Sequence, residues 1–168
     1  MSIDLLVELM RHFIANHKDA KEINERFLYL SNKFSESSET MELLEHEYES
    51  VEYLTTKLLD FKGKMPQKKY IKFIRLLSDY KDKILDSLVN LIVKRHILNI
   101  EKIHGGYNMF AFWNLVDYIE AVDISPIKNN TRKQVLKLLT KISDRVSDPS
   151  ERKRILNAIM TVGNYKII

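Results

Sequence analysis

Residues 67–104 read QKKYIKFIRLLSDYKDKILDSLVNLIVKRHILNIEKIH, and this stretch decides the fold. It contains no Gly and no Pro, while Gly63 and Pro66 precede it and Gly105-Gly106 follow it. Those residues break helices and strands, so the run between them is one uninterrupted element. Its middle, Ile84, Leu85, Leu88, Val89, Leu91, Ile92 and Val93, is apolar on most sides of a 3.6-residue period. A helix of that kind is covered by its neighbours. Asp86, Ser87 and Asn90 interrupt it too closely for a bilayer span. The pattern predicts a long buried central helix over about 67–104.

The flanking sequence repeats the helical signal. Ile23, Phe27, Leu30 and Phe34 step by four, three and four, and Val135, Leu138, Leu139, Ile142 and Val146 follow the same face-forming rule. Asp19 and Asp148 each precede a Glu by three residues, the capping pattern of a helix start, with Pro149 at a first helical position. The Ser-rich stretch 35–40 leads into another cap. Helices are predicted at about 3–17, 19–34, 38–61, 67–104, 108–122, 131–146 and 149–162, with no competing strand alternation. The fold class is an all-α, single-domain bundle of about seven helices over 1–168.

The 168 residues are 45% hydrophobic and 30% charged, which suits a packed globular chain and excludes a disordered one. There is no cysteine, hence no disulfide framework and no thiolate chemistry. The N-terminal residues show no secretory pattern, so the expected location is the cytoplasm, with no membrane partner. The net charge of +4 conceals a division: residues 1–60 hold 6 basic and 13 acidic groups, leaving 21 and 10 for residues 61–168. The helices over 1–61 are acidic, and those over 62–168 are basic and apolar.

Three charge constellations stand out. Glu42, Glu45, Glu49 and Glu52 form an acidic stripe without an internal Lys, so cations are required nearby. An antiparallel turn at 62–66 places Glu52 opposite Arg75 and Glu45 near Lys83. The same turn leaves Lys62, Lys64, Lys68, Lys69 and Lys72 as a basic knob, with Lys57 beside it. Further on, Lys133, Lys137, Lys141 and Arg145 form an unbroken i+4 row flanked by Arg132, and the next helix opens with Arg152-Lys153-Arg154. Two short helices around a tight turn, the second bearing cations, have the geometry of a helix-turn-helix suited to phosphate contacts. Tyr107, Phe110, Phe112 and Trp113 are aromatic but lie in an apolar helix, and packing accounts for them.

Catalytic patterns are sparse. Glu101 and His104 have Glu-x-x-His spacing, but a bundle metal centre needs a second copy, and none exists. No Ser/His/Asp order, phosphate loop or paired-carboxylate motif is present. The segment from Arg11 to His17 resembles the Arg-x(4–6)-His motif of HEPN-type helical ribonucleases over seven residues. That resemblance implies a metal-independent RNase site shared across a dimer, with Arg11 and His17 as its polar groups.

The residues favour a non-catalytic interaction or regulatory protein with no cofactor and no metal. Its expected partner is RNA or DNA, bound through the basic residues. The alternative is an adaptor or self-assembling subunit, in which the acidic stripe meets a basic helix of a partner or second copy. An HEPN-like ribonuclease comes third.

Overall fold

The positive-φ glycines mark two of the chain's turns. Gly63 (φ 85°) and Gly105 (φ 76°) adopt the left-handed conformation that side chains disfavour, one before and one after the long helix. The computed structural model describes residues 3–15, 20–33, 40–101 and 104–164. Among these, all regular structure is helical: α1 (Ile3–Ile14), α2 (Ala20–Lys33), α3 (Met41–Leu59), α4 (Gln67–Glu101), α5 (Met109–Ala121), α6 (Asn129–Ser143) and α7 (Pro149–Asn164). None is long and apolar enough to cross a membrane.

The starts follow local chemistry. Thr40 caps α3 by accepting the Leu43 N–H at 3.2 Å, and Asn108 caps α5 by accepting that of Ala111 at 3.2 Å. Asp148 accepts the Ser150 N–H at 3.2 Å at the head of α7, with Pro149 as its first residue. Asp19 and Phe34 lie outside the described residues. At α6 the cap residue is Lys128, whose side chain makes no capping bond. Its backbone N–H instead donates to Oδ1 of Asn90 at 2.9 Å. Asn90 is buried on α4, so this polar residue in an apolar run anchors the start of another helix.

Contacts divide the chain into two compact units, residues 1–85 and 86–168, and α4 contributes to both. In the first, Leu6, Leu9 and Phe13 of α1 are buried, as are Ile23, Phe27 and Leu30 of α2, Val51, Leu54 and Leu58 of α3, and Phe73, Leu77 and Ile84 of α4. Phe13 meets Phe27 at 6.1 Å between ring centroids and Phe61 edge-on at 4.3 Å. The second unit is built on Val93, Ile97 and Ile100 of α4, Phe112, Leu115 and Val116 of α5, Val135, Leu139 and Ile142 of α6, and Ile155 and Val162 of α7.

This division recasts the charge distribution. Residues 86–168 hold 13 Lys and Arg against 8 Asp and Glu, and residues 1–85 hold 14 against 15. The acidic α3 therefore shares a unit with the lysine-rich start of α4. The surplus of positive charge belongs to the second unit.

Candidate functional site

In the second unit, the C-terminal half of α4 and the middle of α6 present matching stripes. Lys94, Ile97, Leu98 and Glu101 recur at i, i+3, i+4 and i+7, as do Gln134, Lys137, Leu138 and Lys141. That spacing puts each set on one helical face. The two faces, with Tyr107 from the connecting turn, line a groove of about 410 Å³. Ile97 and Leu138 are buried and form its floor, while Lys94, Lys137 and Lys141 are exposed along its rims. Glu101 is the one carboxylate among the lining residues. Leu98, 69% exposed, is one of several large apolar side chains left at the surface, and it lies on the groove's rim. Arg145, next in the lysine row, places its guanidinium 5.0 Å from the Tyr107 ring centroid.

No protein family, curated protein or solved structure matches this chain. The functional reading therefore rests on its own residues.

The predicted basic residues separate into three groups. Lys133, Lys137, Lys141 and Arg145 are exposed, and Lys137 and Lys141 line the groove. Arg152 and Lys153 are exposed on the first turns of α7. The remaining two are held within the unit. Arg132 is only 8% exposed, because it shares the 3-4-3 spacing of the inward residues Val135, Leu139 and Ile142. Its Nη1 donates to Oδ1 of Asn129 at 2.9 Å, so it does not join the exposed row. Arg154 donates from Nη2 to Asp117 at 2.8 Å and from Nε to Glu120 at 3.2 Å, with a second Nη2 bond to Glu120. Its guanidinium also lies 5.2 Å from the Trp113 ring centroid. The two carboxylates hold the Arg154 pKa above its ordinary range. This side chain clasps α5 to α7.

In the first unit, Lys62, Lys64, Lys68 and Lys72 are exposed as predicted. Lys69 differs: it pairs with Glu8 at 2.9 Å and lies 3.1 Å from Nε2 of His12. The Lys69 contact lowers the Glu8 pKa. Of the acidic stripe, Glu52 pairs with Lys81 at 2.5 Å, which lowers the Glu52 pKa and raises that of Lys81. The expected partner, Arg75, is exposed. The face of α4 turned toward α3 is marked by Tyr80, whose hydroxyl donates to buried Glu47 at 3.5 Å. Arg75 is five residues away, about 140° around the helix. Glu52 instead meets Lys81, six residues further along α4. Glu42, Glu45, Glu49 and Lys83 are exposed, with no ion pair among the described residues.

Arg11 is exposed in the last turn of α1, and His17 lies outside the described residues. Glu101 belongs to the groove, His104 is exposed in the following turn, and no metal-holding cluster of His and carboxylates occurs among the described residues. The aromatic cluster is divided. Phe112 is fully buried, Trp113 is half-buried, Tyr107 lines the groove and Phe110 is 80% exposed. Phe110 is thus not a packing residue: the inward face of α5 is set by Ala111, Phe112, Leu115, Val116 and Ile119.

Lys94, Leu98, Tyr107 and Gln134 escaped the sequence reading as site residues. The available signal was the shared i, i+3, i+4, i+7 pattern on two helices. Nothing in either helix alone indicates that the patterns face one another.

Proposed function

We propose that this protein is a non-catalytic binding module whose second unit takes a nucleic acid through the basic face of α4 and α6. The observation that carries the reading is the convergence of Lys94, Lys137 and Lys141 on one groove, with Lys133 and Arg145 extending the row. Exposed cations without carboxylate partners neutralise phosphates and release counterions, giving affinity that falls with salt and depends little on sequence. Arg132 and Arg154 have internal roles and do not contribute.

The test is fluorescence anisotropy with a labelled oligonucleotide at low salt. The Lys137→Glu/Lys141→Glu variant weakens binding by roughly tenfold or more, since each reversal removes an attraction and adds a repulsion. Equal binding by wild type and variant refutes the reading, as does the absence of binding at low salt.

A second reading rests on Glu42, Glu45 and Glu49, which are exposed on α3 without an ion pair among the described residues. An acidic helix face of this kind suits a basic helix of a partner protein or a second copy. Light scattering at two salt concentrations tests the self-assembling version, and a monomer under both conditions removes it.

A further inference from the structure

We infer that the groove between α4 and α6 takes nucleic acid as a single strand and lodges one base beside Tyr107, an inference that rests on the nucleic-acid reading above. A surface built only for phosphates needs cations and water. This groove has a buried apolar floor, Ile97 and Leu138, and a rim leucine, Leu98, left 69% exposed. Such surface is poor company for a hydrated phosphate and good company for the flat face of a base. A duplex keeps its bases paired and stacked inside, so a cleft of about 410 Å³ meets only its backbone. A single strand can turn a base inward while its phosphates follow the rims. Lys133, Lys137 and Lys141 supply cations at about 6 Å intervals along α6.

The polar lining agrees with that division. Glu101 would repel a phosphate, yet a carboxylate accepts hydrogen bonds from base N–H groups, and the Gln134 amide both donates and accepts. Guanine presents a ring N–H and an amino group side by side, which suits a carboxylate. Thymine and uracil flank their single ring N–H with two carbonyl oxygens, which repel it. The groove therefore favours guanine over thymine or uracil. Arg145 lies over one face of the Tyr107 ring and restrains the side chain before the base arrives, which reduces the ordering cost of binding. The base therefore packs beside the ring and not on the face the guanidinium covers.

The experiment measures anisotropy of labelled DNA about 12 nucleotides long, within the span such grooves cover. Three probes are compared at one salt concentration: a guanine-containing strand, oligo(dT), and the duplex of the first strand. The guanine strand binds tightest. Tyr107→Leu weakens it by about 5-fold, the low end of one base–aromatic stack, and the surface change Leu98→Ser weakens it measurably, each with a smaller effect on the duplex than on the strand. Glu101→Gln removes the preference over oligo(dT). Since Leu98 is exposed, its variant answers the question even where Tyr107→Leu perturbs folding. Equal affinity for strand and duplex overturns the inference, as does a Leu98→Ser variant indistinguishable from wild type. In both cases a loss of binding in Lys137→Glu/Lys141→Glu leaves the broader reading standing. Absence of binding to all three probes overturns both.

Discussion

Neutralising Lys137 and Lys141 by substitution with Gln changes how nucleic-acid affinity responds to salt, by an amount set by which cations are free. Five exposed cations occupy the α4–α6 face: Lys94, Lys133, Lys137, Lys141 and Arg145. At roughly 0.7 counterions per phosphate contact on a single strand, log K falls against log salt with a slope of about −3.5. Raising salt from about 50 to 200 mM then costs about 100-fold in affinity. The double variant keeps three of the five, giving a slope of about −2.1 and a loss of about 20-fold over the same range. Had all eight basic residues between Arg132 and Arg154 made contacts, the slope would be about −5.6. The assay is anisotropy titration at four or more salt concentrations, with circular dichroism to show that the variant is folded. A slope that does not change in the variant refutes the assignment of these contacts. A wild-type slope near the eight-contact value shows that exposed cations beyond these five, such as Arg152 and Lys153, also make contacts.

Arg154→Met leaves nucleic-acid affinity and its salt slope unchanged, because the guanidinium is already held by Asp117 and Glu120; a reduced slope contradicts this. Asn90→Ala strips the buried acceptor from the Lys128 N–H and destabilises the fold by roughly 1–3 kcal/mol, read from urea unfolding. A loss too small to measure shows that the N–H finds water instead. Burial lowers the His96 pKa below its ordinary value of about 6.5, with the ring packed 5.5 Å from that of Tyr118. The unfolded chain takes up this proton at a higher pH than the folded protein does. The contribution is therefore complete above about pH 6.5 and is lost as pH falls through the lower folded value. His96→Gln loses less stability than wild type between pH 7.5 and 5.5 in urea titrations, and equal losses refute the assignment.

Helix positions were legible because local interactions and periodicity set them. The segment predicted at 67–104 is helical over Gln67–Glu101, and that predicted at 149–162 over Pro149–Asn164, with Asp148 capping as its spacing indicated. The exposed row Lys133, Lys137 and Lys141 was legible for the same reason, since four-residue spacing on one helix needs no knowledge of other helices, whereas Arg145, expected on the same helix, lies in the turn past its end at Ser143. Arg132 also sat in a readable pattern, since its spacing to Val135, Leu139 and Ile142 already places it inward. Its charge obscured the pattern.

What the sequence could not determine depended on residues distant in the chain. Whether a cation is free depends on the carboxylates that tertiary packing brings to it. Arg154 finds Asp117 and Glu120, and Lys69 finds Glu8, across separations no local rule encodes. The groove has the same origin. The stripe on α4 and the stripe on α6 are each ordinary amphipathic faces, and only their packing turns them into one cleft with an apolar floor and basic rims. The sequence by itself determined the helices and the surplus of positive charge, because both follow from neighbouring residues and composition. Tertiary structure decided which charges remain available, because ion pairing and burial act between residues that only folding brings together.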